Sequence, residues 1–331
     1  MAVDEIAAGG EAAASEVGAQ ATAPVPGWGW TETALAMMVV IWGVNFAVAK
    51  AALQAFTPLA FNAVRFCIAS ALVALVLRAR GGLGLPAREH RWRIVGLGVL
   101  GNVLYQLCFV VGLSRTRAGS ASLILALTPV ITALLSTLIG HERPGARTWG
   151  GAALSITGVA LVTGTGLSVD GTHGLVGDLI LVAASLLWAM YTVGSRGMVR
   201  VYGSVRTTAW TMWVGTALLV PLGVPELSRT EWGALDWRAW GGLVFSAVFA
   251  IALAYLIWYR GVERIGNTRT AIFSNLTPVV AMAAAAVLLN ERPSPWALLG
   301  AALTLTGVMV VRSDPGHARP AAVPAVGARA S

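Results

Sequence analysis

Leu127-Thr128-Pro129-Val130, running on through Glu142-Arg143-Pro144 to Gly158-Val159, is written twice in this chain. At a constant offset of 149 residues it returns as Leu276-Thr277-Pro278-Val279, Glu291-Arg292-Pro293 and Gly307-Val308. Residues 127 to 162, aligned without a gap on 276 to 311, agree at 15 of 36 positions, against roughly 3 expected by chance. The copied unit is an apolar helix with an internal proline, a short charged turn, and a second apolar helix rich in small residues. An internal duplication therefore decides the architecture.

The composition names the solvent. Of 331 residues, 56% are hydrophobic and only 11% charged, too little charge to cover a soluble globule. The chain reads as an all-α integral membrane protein. Its basic residues are almost all arginines placed singly between apolar segments, with Lys50 the one lysine, so no nucleic-acid partner is expected. Cys67 and Cys108 lie inside apolar segments and read as small packed hydrophobes. No cofactor or metal is expected, because the four histidines, His90, His141, His173 and His317, fall in loops or the tail. The same scarcity of clustered nucleophiles and acids argues against an enzyme.

Residues 1 to 33 are expected to be a disordered tail without the positive start and compact apolar run of a signal peptide. Apolar segments follow at about Ala34 to Leu53, Pro58 to Leu77, Ile94 to Leu113, Ala118 to Ile139 and Trp149 to Leu167. A second set follows at about Val176 to Ser195, Thr207 to Leu222, Trp240 to Tyr259, Thr268 to Leu289 and Trp296 to Val311. Most approach the ~20 residues that cross a ~30 Å hydrocarbon core. Ten transmembrane helices result, in repeats at 34–167 and 176–311 with a tail at 312–331. The seventh is expected to be interrupted by Pro221 and Pro225.

Placing both termini in the cytoplasm puts 16 of the 23 basic residues on the cytoplasmic side, which is the favoured asymmetry. Five helices per repeat is an odd number. The second repeat must therefore lie inverted relative to the first, an arrangement that lets two halves exchange conformations around a central site. The expected location is the inner (plasma) membrane.

These features resemble the drug/metabolite transporter superfamily, in particular the ten-helix group built from two EamA-type domains. The resemblance rests on Trp42-Gly43-Val44-Asn45-Phe46 with Lys50, on Pro58 and Arg65-Phe66, and on the Pro129, Glu142-Arg143-Pro144 and Gly158-Val159 unit. In the second copy it rests on Gly177-Asp178, Trp188-Ala189, and the unit from Pro278 to Val308. It implies export, or less often uptake, of small metabolites such as amino acids, nucleobases or toxic compounds through a central cavity. A membrane-embedded enzyme and a non-transporting membrane partner are the rival classes, and a homodimer is left open.

Candidate substrate-binding residues are the polar and aromatic side chains that a bilayer penalises: Trp42, Asn45, Lys50, Arg65, Asn102, Gln106, Trp188, Tyr191, Tyr255, Trp258, Ser274 and Asn275. Each also has a structural reading, as an interfacial anchor or an interhelical hydrogen bond. Arg65 has no basic counterpart in the second copy, where the chain reads Trp210-Thr211, whereas Lys50 is matched by Arg196. Gln106 and Tyr255 stand 149 residues apart. Pro129 and Pro278 read as hinges or as static kinks. Glu142-Arg143 and Glu291-Arg292 are expected to hold the tight turns by ion pairing or capping. Gly96, Gly98 and Gly101 spell a dinucleotide-binding pattern, but inside an apolar helix they read as packing glycines. Every carboxylate falls in a tail, a loop or a helix end, Asp178 being nearest to membrane depth. Facilitated diffusion or exchange is therefore expected ahead of proton antiport.

Overall fold

The structure, a computed structural model, describes residues 29–79, 82, 84–139 and 145–313, the side chains of 165–171, 173, 259, 262–263, 265–269, 271–272 and 312 excepted. The described residues are helical without a strand. The first spans are α1 (Trp30–Ala52), α2 (Pro58–Ala79), α3 (Arg88–Arg115) and α4 (Ala118–Leu138). A long helical run, α5 (Ala146–Tyr202), is followed by α6 (Ser204–Leu227), and Gly203 between them takes the left-handed φ of 80° that favours glycine. The run α7 covers 237–274, then come α8 (Thr277–Leu289) and α9 (Pro295–Arg312).

Two of these runs each hold more than one span. At ~1.5 Å per residue a straight helix would put Ala152 and Arg196 of α5 some 65 Å apart. Yet Arg196 donates to Ser136 Oγ at 3.2 Å, while Ala133, one turn back on α4, packs in a cluster with Ala152. The chain therefore reverses inside α5, and its two arms are the fifth and sixth spans. In α7 a Cβ on Gly261 would lie 3.1 Å from the Thr270 side chain, nine residues on, so that run reverses too. Expected as separate helices, these spans follow one another with no non-helical residue assigned between them. Among the described residues seven segments are long and apolar enough to cross a bilayer; Thr277–Leu289, Pro295–Val311 and the first arm of α5 complete ten.

The seventh span departs from expectation. α6 runs through Pro221 and Pro225 without a break and ends at Leu227. Each proline forfeits one ladder bond, but an apolar surrounding offers the backbone no partner outside the helix. In the fourth and ninth spans the helix breaks instead at Ala126–Leu127 and at 275–276. Pro129 and Pro278 thus stand in the first turn of a new helical half, where a missing N–H leaves no bond unmade.

The five most exposed tryptophans, Trp30, Trp92, Trp149, Trp237 and Trp296, lie close to the starts of their helices, as an interfacial belt requires. Exposed Leu, Val and Met between the belts face lipid.

The repeats are inverted, and the contacts between equivalent spans display it. A Cβ on Gly151 of the fifth span would lie 2.7 Å from the Gly307 carbonyl of the tenth, and one on Gly158 would lie 2.6 Å from the Gly300 carbonyl. One number rises as the other falls, so the two spans cross antiparallel. At the crossing Ser155 Oγ donates to the Thr304 carbonyl at 3.2 Å, and these two residues are themselves equivalents, 149 apart. The second and seventh spans repeat the arrangement: Ser70 and Thr216, 146 apart, share a 2.6 Å hydroxyl contact, and Gly223 meets Ala63. The offset of 146 is the one that pairs Lys50 with Arg196. A pseudo-two-fold axis thus passes through two small-residue seams.

Candidate functional site

Both repeats distort their third helix at the same place. α3 opens into π-helical turns over Val99–Leu104, and α7 does so over Phe245–Leu253, which contains the equivalent stretch 248–253. A π turn widens the ladder and frees carbonyls for outside donors. Trp42 Nε1 uses one, donating to the Ala250 carbonyl at 2.9 Å. On the other side Gly101 of the α3 stretch lets the Tyr191 ring approach: a Cβ there would lie 2.5 Å from the ring. Gly98 likewise packs on Val214, while Gly96 meets nothing within 4 Å, so two of the three glycines serve close packing.

Two aromatic shells follow from this. Trp42 stands 5.7 Å from Trp258 and 6.3 Å, edge-on, from Tyr255. Its equivalent, Trp188, stands 4.7 Å from Tyr105 and 5.2 Å from Tyr191. Between the shells is Arg65, 2% exposed. Its Nη1 donates to Ser246 Oγ at 3.1 Å, and its Nη2 to Asn62 Oδ1 at 2.6 Å and Gln106 Oε1 at 2.7 Å. Asn62 in turn donates to the Gln106 carbonyl at 3.0 Å, which fixes both acceptors. Phe61, Phe66 and Phe109 present ring faces to the guanidinium at 5.1, 5.8 and 5.8 Å. Tyr105 and Tyr255 lie within electrostatic reach.

Every hydrogen-bond partner of Arg65 among the described residues is neutral. Among the described residues no carboxylate comes within ion-pair distance of it, and its Nε has no hydrogen-bond partner. Asn45 Oδ1, Asn102 Nδ2 and Thr277 Oγ1 are likewise buried without partners. Unpaired buried polar atoms each cost roughly 1–3 kcal/mol, and more for a charge. Where the first repeat has Arg65, the second has Thr211, whose Oγ1 lies 3.1 Å from Tyr191 Oη.

The sequence candidates divide. Trp42, Arg65, Gln106, Trp188, Tyr191, Tyr255 and Trp258 are brought into this central group. Lys50 is not: its Nζ donates to the carbonyls of Leu113, at 3.2 Å, and Thr116, at the C-terminal end of α3. Asn102 lies against Gly215. Ser274 and Asn275 sit at the break of the ninth span, half-buried. Asp178 is buried and accepts from Thr116 Oγ1 at 2.5 Å, beside the Lys50 contact at a bundle end. Glu291 does not brace its own turn. It accepts from the backbone N–H groups of Ala118 and Gly119 at 2.9 and 3.2 Å, capping α4 of the other repeat, and Asn290 ends α8 at a left-handed φ of 54°. Glu142-Arg143-Pro144 lies outside the described residues. Asn62, Tyr105 and Ser246 were missed, although Asn62 is one turn before Arg65 and Tyr105 adjoins Gln106.

A small depression opens elsewhere, at a bundle end among Arg117, Leu123, Val162, Met282 and Arg292. It does not reach the Arg65 group.

Inverted five-helix repeats meeting at small-residue seams, with charge and aromatic rings buried between them, define a multi-pass membrane transporter. The EamA-like transporter family model matches residues 29–164 and again 175–313, and the chain belongs to that family. It is 29% identical over 278 residues to the uncharacterized transporter YyaM of Bacillus subtilis, covering 82% of this chain and 89% of that one. It is 28% identical over 299 residues to a probable terminal-alkyne amino-acid exporter of Streptantibioticus cattleyicolor, covering 88% and 96%. A crystal structure 21% identical superimposes with a TM-score of 0.59 over 84% of this chain and 95% of its own, a likeness of fold.

Proposed function

We propose that the protein exports small amphiphilic metabolites, amino-acid-like or drug-like, by alternating access around the Arg65 group. The observation that carries this reading is the pair of equivalent aromatic shells, each built from side chains of both repeats, facing a buried hydrogen-bonding core. Aromatic walls with a few fixed polar groups bind amphiphiles, and a site shared by two inverted halves is the one place that both arrangements can expose in turn. The breaks before Pro129 and Pro278 supply equivalent points where half of the fourth and ninth spans can swing while each half keeps its own ladder. Export accords with the Streptantibioticus relative's name. In this reading the arginine-rich end, where Arg93 donates to the Gly194 carbonyl at 3.4 Å and Gly82 lies near Arg206, faces the cytoplasm with both termini, as the distribution of basic residues favours.

The test is growth of cells with and without the protein across a panel of amino acids, nucleosides and toxic amphiphiles, with Trp42→Ala and Trp188→Ala alongside. Resistance to some compound, lost in both variants, is the expected result. Sensitisation by the wild-type protein would instead assign uptake, and resistance retained in both variants would remove the site.

A further inference from the structure

We infer that the central site is anion-selective: its substrates carry a carboxylate or an equivalent single negative charge, and organic cations are refused. The inference rests on the transport reading above and names the substrate class of that site.

A guanidinium stays protonated in a protein, so Arg65 brings a permanent positive charge into the bundle. Buried charges are ordinarily balanced by a counter-charge. Here the acceptors among the described residues are a hydroxyl and two amide oxygens, and the surrounding rings contribute only their faces. The carboxylates of the described residues lie at span ends or in loops: Glu32 in the first turn of α1, Glu89 in the first turn of α3, Asp178 beside Thr116, Glu226 on the N–H groups of Leu59 and Ala60, Glu231 in the loop after α6, Asp236 capping α7, Glu291 on α4. The core is therefore left with an uncompensated charge and one donor, Nε, with nothing to donate to. An anion supplies both deficits at once. A cation would meet like charge in a low-dielectric site with no acid to offset it. The second repeat cannot take the role, because its equivalent of Arg65 is Thr211.

The experiment uses purified full-length protein and matched triplets of carboxylic acid, primary amide and amine on common aliphatic and aromatic skeletons, 3-phenylpropionate among them. The readout is ligand-induced thermal stabilisation, with efflux from preloaded cells as the second measurement. In the wild type, acids are expected to bind at least about tenfold more tightly than the matching amines. Arg65→Gln should reduce that preference to within about threefold, whereas Arg65→Lys, which keeps the charge without the fork, should retain it at lower affinity. The Lys variant separates lost charge from lost folding. Amines bound as tightly as acids by the wild type, or a preference unchanged in Arg65→Gln, would overturn the inference while leaving transport standing. No member of the panel bound or moved would overturn the transport reading, and the inference with it.

Discussion

The seams and the site obey opposite rules. Where the fifth span meets the tenth, and the second meets the seventh, equivalents touch equivalents: Ser155 with Thr304, Ser70 with Thr216, Gly151 with Gly307 as Gly158 with Gly300. At the centre the equivalence fails, because Arg65 on one side answers to Thr211 on the other. A seam that must survive an exchange of roles between two halves gains from being the same on both sides. A substrate is not two-fold symmetric, and the group that holds it need occur only once.

Enlarging the seam should do the most damage, and symmetrically. Gly158→Leu and its equivalent Gly307→Leu each drive a side chain into a facing backbone carbonyl, that of Gly300 and that of Gly151, costing about 3 kcal/mol. Thermal melting in detergent should fall by similar amounts for the two. A large drop in one alone would break the equivalence.

Arg65→Gln should reduce transport at least about tenfold, the size expected when a charged contact to substrate is lost. Ser155→Ala, at the seam, should stay near wild type in the same assay. If the two variants behave alike, site and seam are not distinct.

Smaller effects test the cross-repeat contacts. Glu291→Gln weakens the cap on α4 and should lower stability by about 1 kcal/mol, read by chemical denaturation. If Glu291 served only its own turn, hydrogen exchange at Ala118 and Gly119 would be unchanged; faster exchange there is expected. Trp42→Phe removes the bond to the Ala250 carbonyl and should cost about 0.5–1 kcal/mol while keeping the aromatic shell. Its expected signature is a small stability loss with transport largely retained.

The duplication was legible because the seam needs small residues at fixed spacing, and glycines repeated at an offset of 149 survive in plain text. Inversion followed from parity alone. Arg65 stood out because a bilayer tolerates few buried charges. The π turns at Val99–Leu104 and Phe245–Leu253 were not legible, because an inserted residue in a helix leaves no mark in an apolar run. With them went Ser246, whose role depends on the register those turns set. The prolines misled in opposite ways. Pro221 and Pro225 looked like breaks, but the helix has nowhere else to satisfy its backbone, while Pro129 and Pro278 looked internal and stand just after real breaks. Lys50 looked like a site residue because a sequence does not say which helix end lies opposite, and the Leu113 and Thr116 carbonyls lie there.

The most direct test of an asymmetric site between symmetric halves is efflux from cells preloaded with a carboxylate that the wild-type protein exports, comparing wild type, Ser155→Ala and Arg65→Gln at matched membrane levels. The account predicts efflux by the first two and retention of the compound by the third. Equal efflux by all three would contradict it, leaving Arg65 as packing and the centre as symmetric as the seams.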